Sequence, residues 1–411
     1  MLGFVGFVIV VIGLIHFYLY RRLVRDSFRT RRARRVGAVA CMLLAALIPT
    51  TLIGVRTGSA TWLAWPGYLW LALMFYLLVT LAVLEIPQLV VRWAWRAAPA
   101  SGRPLVRSRA GAPGETTPEV TAATQDETAD TGDAPARGIE RRLLLARGVA
   151  LAAGLTAAGV TGYGVRTAFG GPRLDRVRFP MAKLARSMDG TRLAVVSDIH
   201  LGPLTGIRHT ERIVEMINSV RADIVCVVGD LVDGSVAELG RLAAPLADIE
   251  SRYGAYFVTG NHEYYSGFAP WMDELDRLGV RPLRNERVEI GGLDLAGVND
   301  LGGAETGDAP DFARALGDRD PARPVVLMAH QPVAAKDAAP FGVDLQVSGH
   351  THGGQMAPFN LLVRLAQPVV SGLGEVDGVP VYVTNGAGFW GPPVRVGAPP
   401  QVSLIELRSA A

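Results

Sequence analysis

The apolar positions of this chain follow two regimes that change over near residue 170. Before that point they run together: roughly Leu2–Tyr20, Val36–Val55 and Tyr68–Val91 are long apolar stretches with scarcely a polar face. Each approaches or exceeds the ~20 residues a helix needs to cross a ~30 Å hydrocarbon layer. Core helices of a soluble domain keep a polar side, so these three are expected to span a membrane. The first has neither the basic start nor the small-residue end of a cleaved signal. Glu85 is the one carboxylate inside a span and lies near its end, where it is expected to reach the interface. His16, also at a span's end, is expected to be interfacial.

The stretch from about Ala97 to Arg137 is rich in Pro, Gly, Thr and Ala and grows acidic, which predicts a disordered linker. Glu140-Arg141-Arg142-Leu143-Leu144-Leu145-Ala146 then opens an Ala/Gly-rich apolar run to about Val165. Paired arginines before a weakly hydrophobic run fit a fourth span and also resemble a twin-arginine export signal. The expected division is a three-span membrane region over 1–95, a cytoplasmic linker over 96–140, the fourth segment over 141–167 and a globular domain over 172–411.

In that last region short apolar runs alternate with amphipathic ones. Leu193–Val196, Ile224–Val228, Ala255–Val258, Leu293–Val298, Val325–Met328, Leu345–Val347, Val381–Val383 and Val402–Leu407 read as strands bounded by Gly, Asp or Asn. Arg208–Val220, Val236–Ile249 and Ala269–Leu278 read as helices. Strands alternating with helices predict an α/β domain with helices covering the sheet faces.

Charge changes the picture in one respect. Eight arginines (Arg21, Arg22, Arg25, Arg29, Arg31, Arg32, Arg34 and Arg35) crowd the first connection, whereas the second, Arg56 to Pro66, carries one. Basic connections stay in the cytoplasm, so the first and third connections are expected inside. The second, the amino terminus and the domain beyond residue 170 are then expected outside. The net charge of +3 is too small to argue for a nucleic-acid partner, and Cys41 and Cys226 give no disulfide framework.

The candidate chemistry lies wholly in the second regime. Ser197-Asp198-Ile199-His200, Gly229-Asp230-Leu231-Val232-Asp233, Gly260-Asn261-His262-Glu263, His330 and Gly349-His350-Thr351-His352 contain five of the seven histidines of the chain. Nearly every one follows a predicted strand, and ligands gather at the carboxyl ends of strands in open α/β sheets. Each motif alone reads as a helix cap or turn; in this order they point to two divalent cations sharing a carboxylate. Such a pair clamps a phosphate and activates water near neutral pH. Nitrogen and oxygen donors without thiolate suit Mn²⁺, Fe or Zn²⁺. His209, at the start of a helical pattern, is expected to be structural.

These blocks resemble those of the calcineurin-like metallophosphoesterase superfamily over about Arg192 to Leu407. The resemblance implies a four-layer α/β/β/α sandwich with a dinuclear centre. By motif position Asp198, His200 and His352 hold the first metal, Asn261, His330 and His350 the second, and Asp230 bridges. His262 is implied to act on the phosphate as a catalytic group, with Asp233 and Glu263 orienting ligands from behind. The chain looks most like membrane-associated bacterial phosphodiesterases, to which its Gly386-Ala387-Gly388-Phe389-Trp390 ending is similar. Asn299, Asp300 and Arg395 are expected to border the substrate. Phe359-Asn360-Leu361-Leu362-Val363-Arg364-Leu365 is expected to pack on the domain, with insertion into the bilayer as the alternative. The expected reaction is hydrolysis of a phosphodiester or pyrophosphate bond, with a lipid-linked or envelope substrate and membrane lipids as neighbours. Phosphomonoester or nucleotide hydrolysis, and a non-catalytic membrane sensor, are the alternatives.

Overall fold

A computed structural model describes residues 2–97 and 134–409. The expected linker falls mostly on 98–133, outside the described residues. Four helices open the chain: α1 (Leu2–Leu19), α2 (Arg31–Arg56), α3 (Ala64–Ala97) and α4 (Ala134–Phe169). Among the described residues, the helical stretches long and apolar enough to cross a membrane are Gly6–Arg25, Arg31–Arg56, Thr61–Pro87 and Leu143–Phe169. By packing, the chain divides into one unit of Met1–Ala45 with Met74–Ala157 and another of Ala46–Leu73 with Ala158–Ala411.

In the first unit a π-helical turn, Tyr20–Arg25, prolongs α1. This leaves His16 inside the helix and buried rather than at its end. Glu85 accepts from the Tyr18 hydroxyl at 2.6 Å and pairs with Arg22 Nε at 2.8 Å. The carboxylate expected at the interface is therefore met by partners inside the unit, as a charge among apolar helices requires.

The second unit holds two six-stranded mixed sheets. The first runs β1 (Arg173–Met181), β12 (Gln401–Ser409), β2 (Arg192–Val196), β3 (Ile224–Val228), β4 (Ala255–Val258), β5 (Val280–Pro282). The second runs β10 (Gly372–Val376), β11 (Val379–Val383), β9 (Leu345–Ser348), β8 (Val325–Met328), β7 (Leu293–Gly297), β6 (Glu286–Ile290). Strands β2 to β5 are mutually parallel, as are β11, β9, β8 and β7.

Side chains of period two separate three cores. Val195, Cys226 and Val228 meet Leu295, Val326, Met328 and Val347 between the sheets. Ala194, Val196, Val225 and Val227 turn outward under α5 (Ile207–Ser219), α6 (Val236–Ala243) and α8 (Phe268–Arg277). A short helix, α7 (Asn261–Ser266), precedes α8. On the far side Ala296, Val325 and Leu327 pack under α9 (Phe312–Leu316) and α10 (Ala335–Ala338). With both faces of each sheet covered, strands such as Ile-Val-Cys-Val-Val in β3 carry no polar position. The result is the α/β/β/α sandwich.

Two elements depart from expectation. The helix predicted over Val236–Ile249 stops at Ala243 and continues as a 3₁₀ turn, Ala244–Asp248, because Pro245 removes a helical donor. The segment expected to pack on the domain forms α11 (Asn360–Ala366), whose Leu361, Leu362 and Leu365 are exposed.

Candidate metal centre

Strands β2, β3, β4, β8 and β9 end on one rim and deliver the five motifs there. Five expected ligands (Asp198, His200, Asp230, His350 and His352) have positive φ, between 49° and 69°. Non-glycine residues rarely adopt that conformation, and such strain collects at functional sites. Gly229 permits the close approach: a Cβ there, at φ +76°, would stand 2.6 Å from Gly260 N and 2.7 Å from His330 Nδ1.

Three groups of possible ligands result among the described residues, one of them His200, Asp233 and His262; the other two carry the expected ligands. In the first, His352 Nε2 lies 3.1 Å from His200 Nε2 and 3.3 Å from Asp198 Oδ1. In the second, His330 and His350 flank Asp230, with His330 Nε2 3.2 Å from Asp230 Oδ2. Asn261 Oδ1 is 3.1 Å from His350 Nδ1. Asp230 Oδ2 is also 3.8 Å from His200 Nε2, so this carboxylate stands between the clusters.

The donor set fits metal ions. His330 gives Nδ1 to the Val228 carbonyl at 2.8 Å, which turns its buried Nε2 toward Asp230 in the cluster. Burial, together with the charge of His330, lowers His350 to about 4. Burial, with Arg395 nearby, holds His352 well below the ordinary imidazole range. Both rings are thus neutral. Burial opposes ionisation of Asp230, but the charge of His330 prevails and keeps the carboxylate ionised. Burial likewise works against a charged His330, yet Asp230 holds it protonated, and a cation in that place displaces the proton.

The expected supporting residues lie against these ligands. Asp233 Oδ1 accepts from His200 Nδ1 at 2.9 Å and from His262 Nδ1 at 2.7 Å. Glu263 is fully buried and collects backbone N–H groups from Gly260, Asp230 and Leu231 at 2.6, 3.0 and 2.8 Å. It ties the Asp230 turn to the Asn261 turn through charge-assisted bonds. Burial and the Asp230 charge push its carboxyl up to about 7. Asp230 Oδ1 in turn accepts from His262 N at 2.9 Å. His262 faces the opening: burial lowers its affinity for a proton, but Asp233, Asp230 and Glu263 raise it to about 9.

Other expected residues sit differently. Asp300 is buried and accepts from Gly302 N at 2.7 Å and, at 3.1 Å, from Nε2 of Gln331, next in sequence to the expected ligand His330. Asn299 is buried and gives Nδ2 to Asp308 O at 3.2 Å. Arg395 is wholly buried; its guanidinium meets the carbonyls of Gly388, His352, Asn385 and Ala398, with Nη2 3.1 Å from His352 Nδ1. Every guanidinium nitrogen is engaged within the domain, which leaves none free for a substrate. His209 is buried against the Ile199 carbonyl at 3.2 Å, and burial lowers it to about 4.

Sequence reasoning passed over the rim. Tyr265 and Trp390 stand edge-on to His262 at 5.5 and 6.1 Å. Arg56, from the end of α2, lies over the Tyr265 ring at 5.4 Å. Tyr265, two residues beyond Glu263, was within reach of the motif; Arg56 carried no local signal.

The sequence profile of the calcineurin-like phosphoesterases matches residues 191–354. An uncharacterized metallophosphoesterase of Aquifex aeolicus is 34% identical over 243 residues, covering 57% of this chain and 92% of that one. A Danio rerio protein described as a transmembrane protein with metallophosphoesterase domain is 37% identical over 262 residues, 60% of each chain. An uncharacterized metallophosphoesterase of Helicobacter pylori is 37% identical over 239 residues, 57% of this chain and 64% of that one. This chain belongs to the calcineurin-like metallophosphoesterase family. It spans only 60% of the Danio rerio relative's length and 58% of a Bos taurus counterpart's.

Proposed function

We propose that this protein is a membrane-bound hydrolase of the bacterial phosphodiesterase type, cleaving a phosphodiester or pyrophosphate bond in a lipid-linked or envelope substrate. The observation that carries the reading is the convergence of Asp198, His200, Asp230, Asn261, His330, His350 and His352, most of them in strained backbone, on two adjacent clusters. Asp198, His200 and His352 would hold one cation, Asn261, His330 and His350 the other, with Asp230 shared. Two bound dications, Mn²⁺, Fe or Zn²⁺ by donor type, supply charge against the phosphoryl oxygens and acidity to activate water.

The protein's own part in the reaction is proton placement. Asp233 fixes His262 through Nδ1 and leaves Nε2 toward the opening, where the protonated ring donates to the leaving oxygen. Asp233 also holds His200, so one carboxylate aligns a metal ligand and the acid. The half-exposed Asn261, His262 and His350 mark the open side of the site.

The catalytic domain lies outside the cytoplasm in this reading. In support, the connection with a single arginine, after Arg56, belongs to the same compact unit as the domain. The eight arginines between residues 21 and 35 belong to the other. An extracytoplasmic centre meets envelope lipids and polymers rather than cytosolic nucleotides.

Full-length protein in detergent with Mn²⁺ tests the reaction class. Metal-dependent turnover of bis(4-nitrophenyl) phosphate above that of 4-nitrophenyl phosphate is expected. Preference for the monoester moves the assignment to a phosphomonoesterase. Two metals bound without turnover of either ester removes the enzymatic reading.

A further inference from the structure

We propose that α11 is a lipid-docking helix, seated in the membrane interface beside the metal centre, which brings that centre to the headgroups of the leaflet. The docking itself stands on the fold; its use for a lipid phosphoester rests on the function proposed above.

Three leucines carry the argument. Leu361, Leu362 and Leu365 are 60%, 57% and 84% exposed, at i, i+1 and i+4 on one helical face. The opposite face meets the domain only in part: Asn360 packs against Gly354, and the exposed Arg364 borders a polar cavity of about 540 Å³ with Ser371 and Asn385. A seven-residue helix with no buried residue that leaves three leucines exposed departs from the pattern of a water-facing element.

The depth of α11 follows from a short chain of contacts to a membrane-spanning helix. Arg395 N donates to the Gly164 carbonyl of α4 at 3.0 Å, and a Cβ at Gly164 would stand 2.9 Å from Val396 Cγ2. Gly164 lies within the apolar stretch that ends at Phe169. At 1.5 Å per residue, this places the 394–396 segment roughly 7 Å inside the end of the span. Met356 bridges to Val396, and Ala357 N donates to the Val396 carbonyl at 2.9 Å. Helix α11 begins three residues later, too few to leave the interface.

Exposed aromatic side chains occur near the end of the same span, where Trp65 stacks on Phe169 at 5.7 Å. Trp62 and Trp65 precede or open α3, Tyr163 adjoins Gly164, and Trp390 lies on the loop that contacts α4. Tryptophan and tyrosine concentrate at the membrane–water boundary. Trp390 also stands beside His262, so the boundary and the metal centre share a residue. The occupant of the leucine face is accordingly the acyl region just below the headgroups.

The test labels one residue at a time with an environment-sensitive fluorophore in the full chain, with Cys41 and Cys226 replaced by alanine, in phosphatidylcholine/phosphatidylglycerol vesicles. A label at Leu365→Cys should be quenched at least threefold more by lipids brominated near the carbonyl end of the acyl chain than one at the exposed Asp318→Cys. Equal quenching overturns the proposal. So does a label at 365 shielded from both brominated lipid and aqueous iodide, which identifies a second copy as the occupant. In a second arm, the Leu361→Ser/Leu365→Ser chain should lose about tenfold in turnover of a vesicle-borne phosphodiester relative to bis(4-nitrophenyl) phosphate, at unchanged metal content. Quenching together with no lipid hydrolysis by the wild type leaves the docking intact and removes the lipid-substrate reading.

Discussion

Replacing Asp233 by asparagine tests the site most sharply, because one oxygen serves two rings. Asp233 Oδ1 holds His200 at 2.9 Å and His262 at 2.7 Å. The amide retains an acceptor but loses the charge, so both rings are less firmly fixed and His262 loses protons more readily. Loosening the group behind a metal ligand typically costs 10–100-fold in metal affinity or activity. The second effect has a sign. His262 sits at about 9 because burial is outweighed by Asp233, Asp230 and Glu263. Removing the nearest charge should lower it by about one to two units. As the donor to the leaving oxygen, His262 must be protonated, so activity falls as pH rises through its pKa. The alkaline limb of the variant should therefore lie lower, with roughly two- to tenfold extra loss near pH 8. Bound cations depress the ring in both proteins, leaving the difference as the readout. The assay is the pH profile of kcat/KM for bis(4-nitrophenyl) phosphate, with metal content measured alongside. An alkaline limb that stays put while activity drops would show that His262 is not the titrating donor.

Three further outcomes follow from the same geometry. Asp230→Asn removes charge from between both clusters and should reduce turnover at least ~100-fold; undiminished turnover on the diester rules out the shared carboxylate. His262→Ala should keep near-stoichiometric metal by elemental analysis while turnover falls ~10²–10⁴-fold; loss of a metal equivalent makes His262 a ligand or a ligand's support. Protease added to wall-free intact cells should digest the catalytic domain while sparing a cytosolic marker; full protection until permeabilisation reverses the orientation.

The local signals in the sequence were those whose physics is local. Continuous apolar runs became β3, β4 and β8 at their expected bounds, because a strand buried on both faces admits no polar residue. The long apolar segments became helices, and the Asp, Asn and His positions fell at strand ends, where an open sheet exposes them. The division of the expected ligands between two clusters came from family resemblance. The strand β1 was missed although Arg176, Arg178 and Pro180 alternate with Val177, Phe179 and Met181 at a strand's period; it is held by pairing with β12, more than two hundred residues away. The sequence could not show that Arg395 is buried beneath His352, since an isolated arginine near a chain end reads as surface until surrounding carbonyls surround it. The outward face of α11 and the place of Arg56 over Tyr265 depend on which faces the rest of the unit leaves uncovered. Composition and order determined the chemistry this chain can perform. Tertiary packing decided which side chains support that chemistry and which are left to meet a membrane, because burial and long-range pairing are properties of the folded surface rather than of any window of residues.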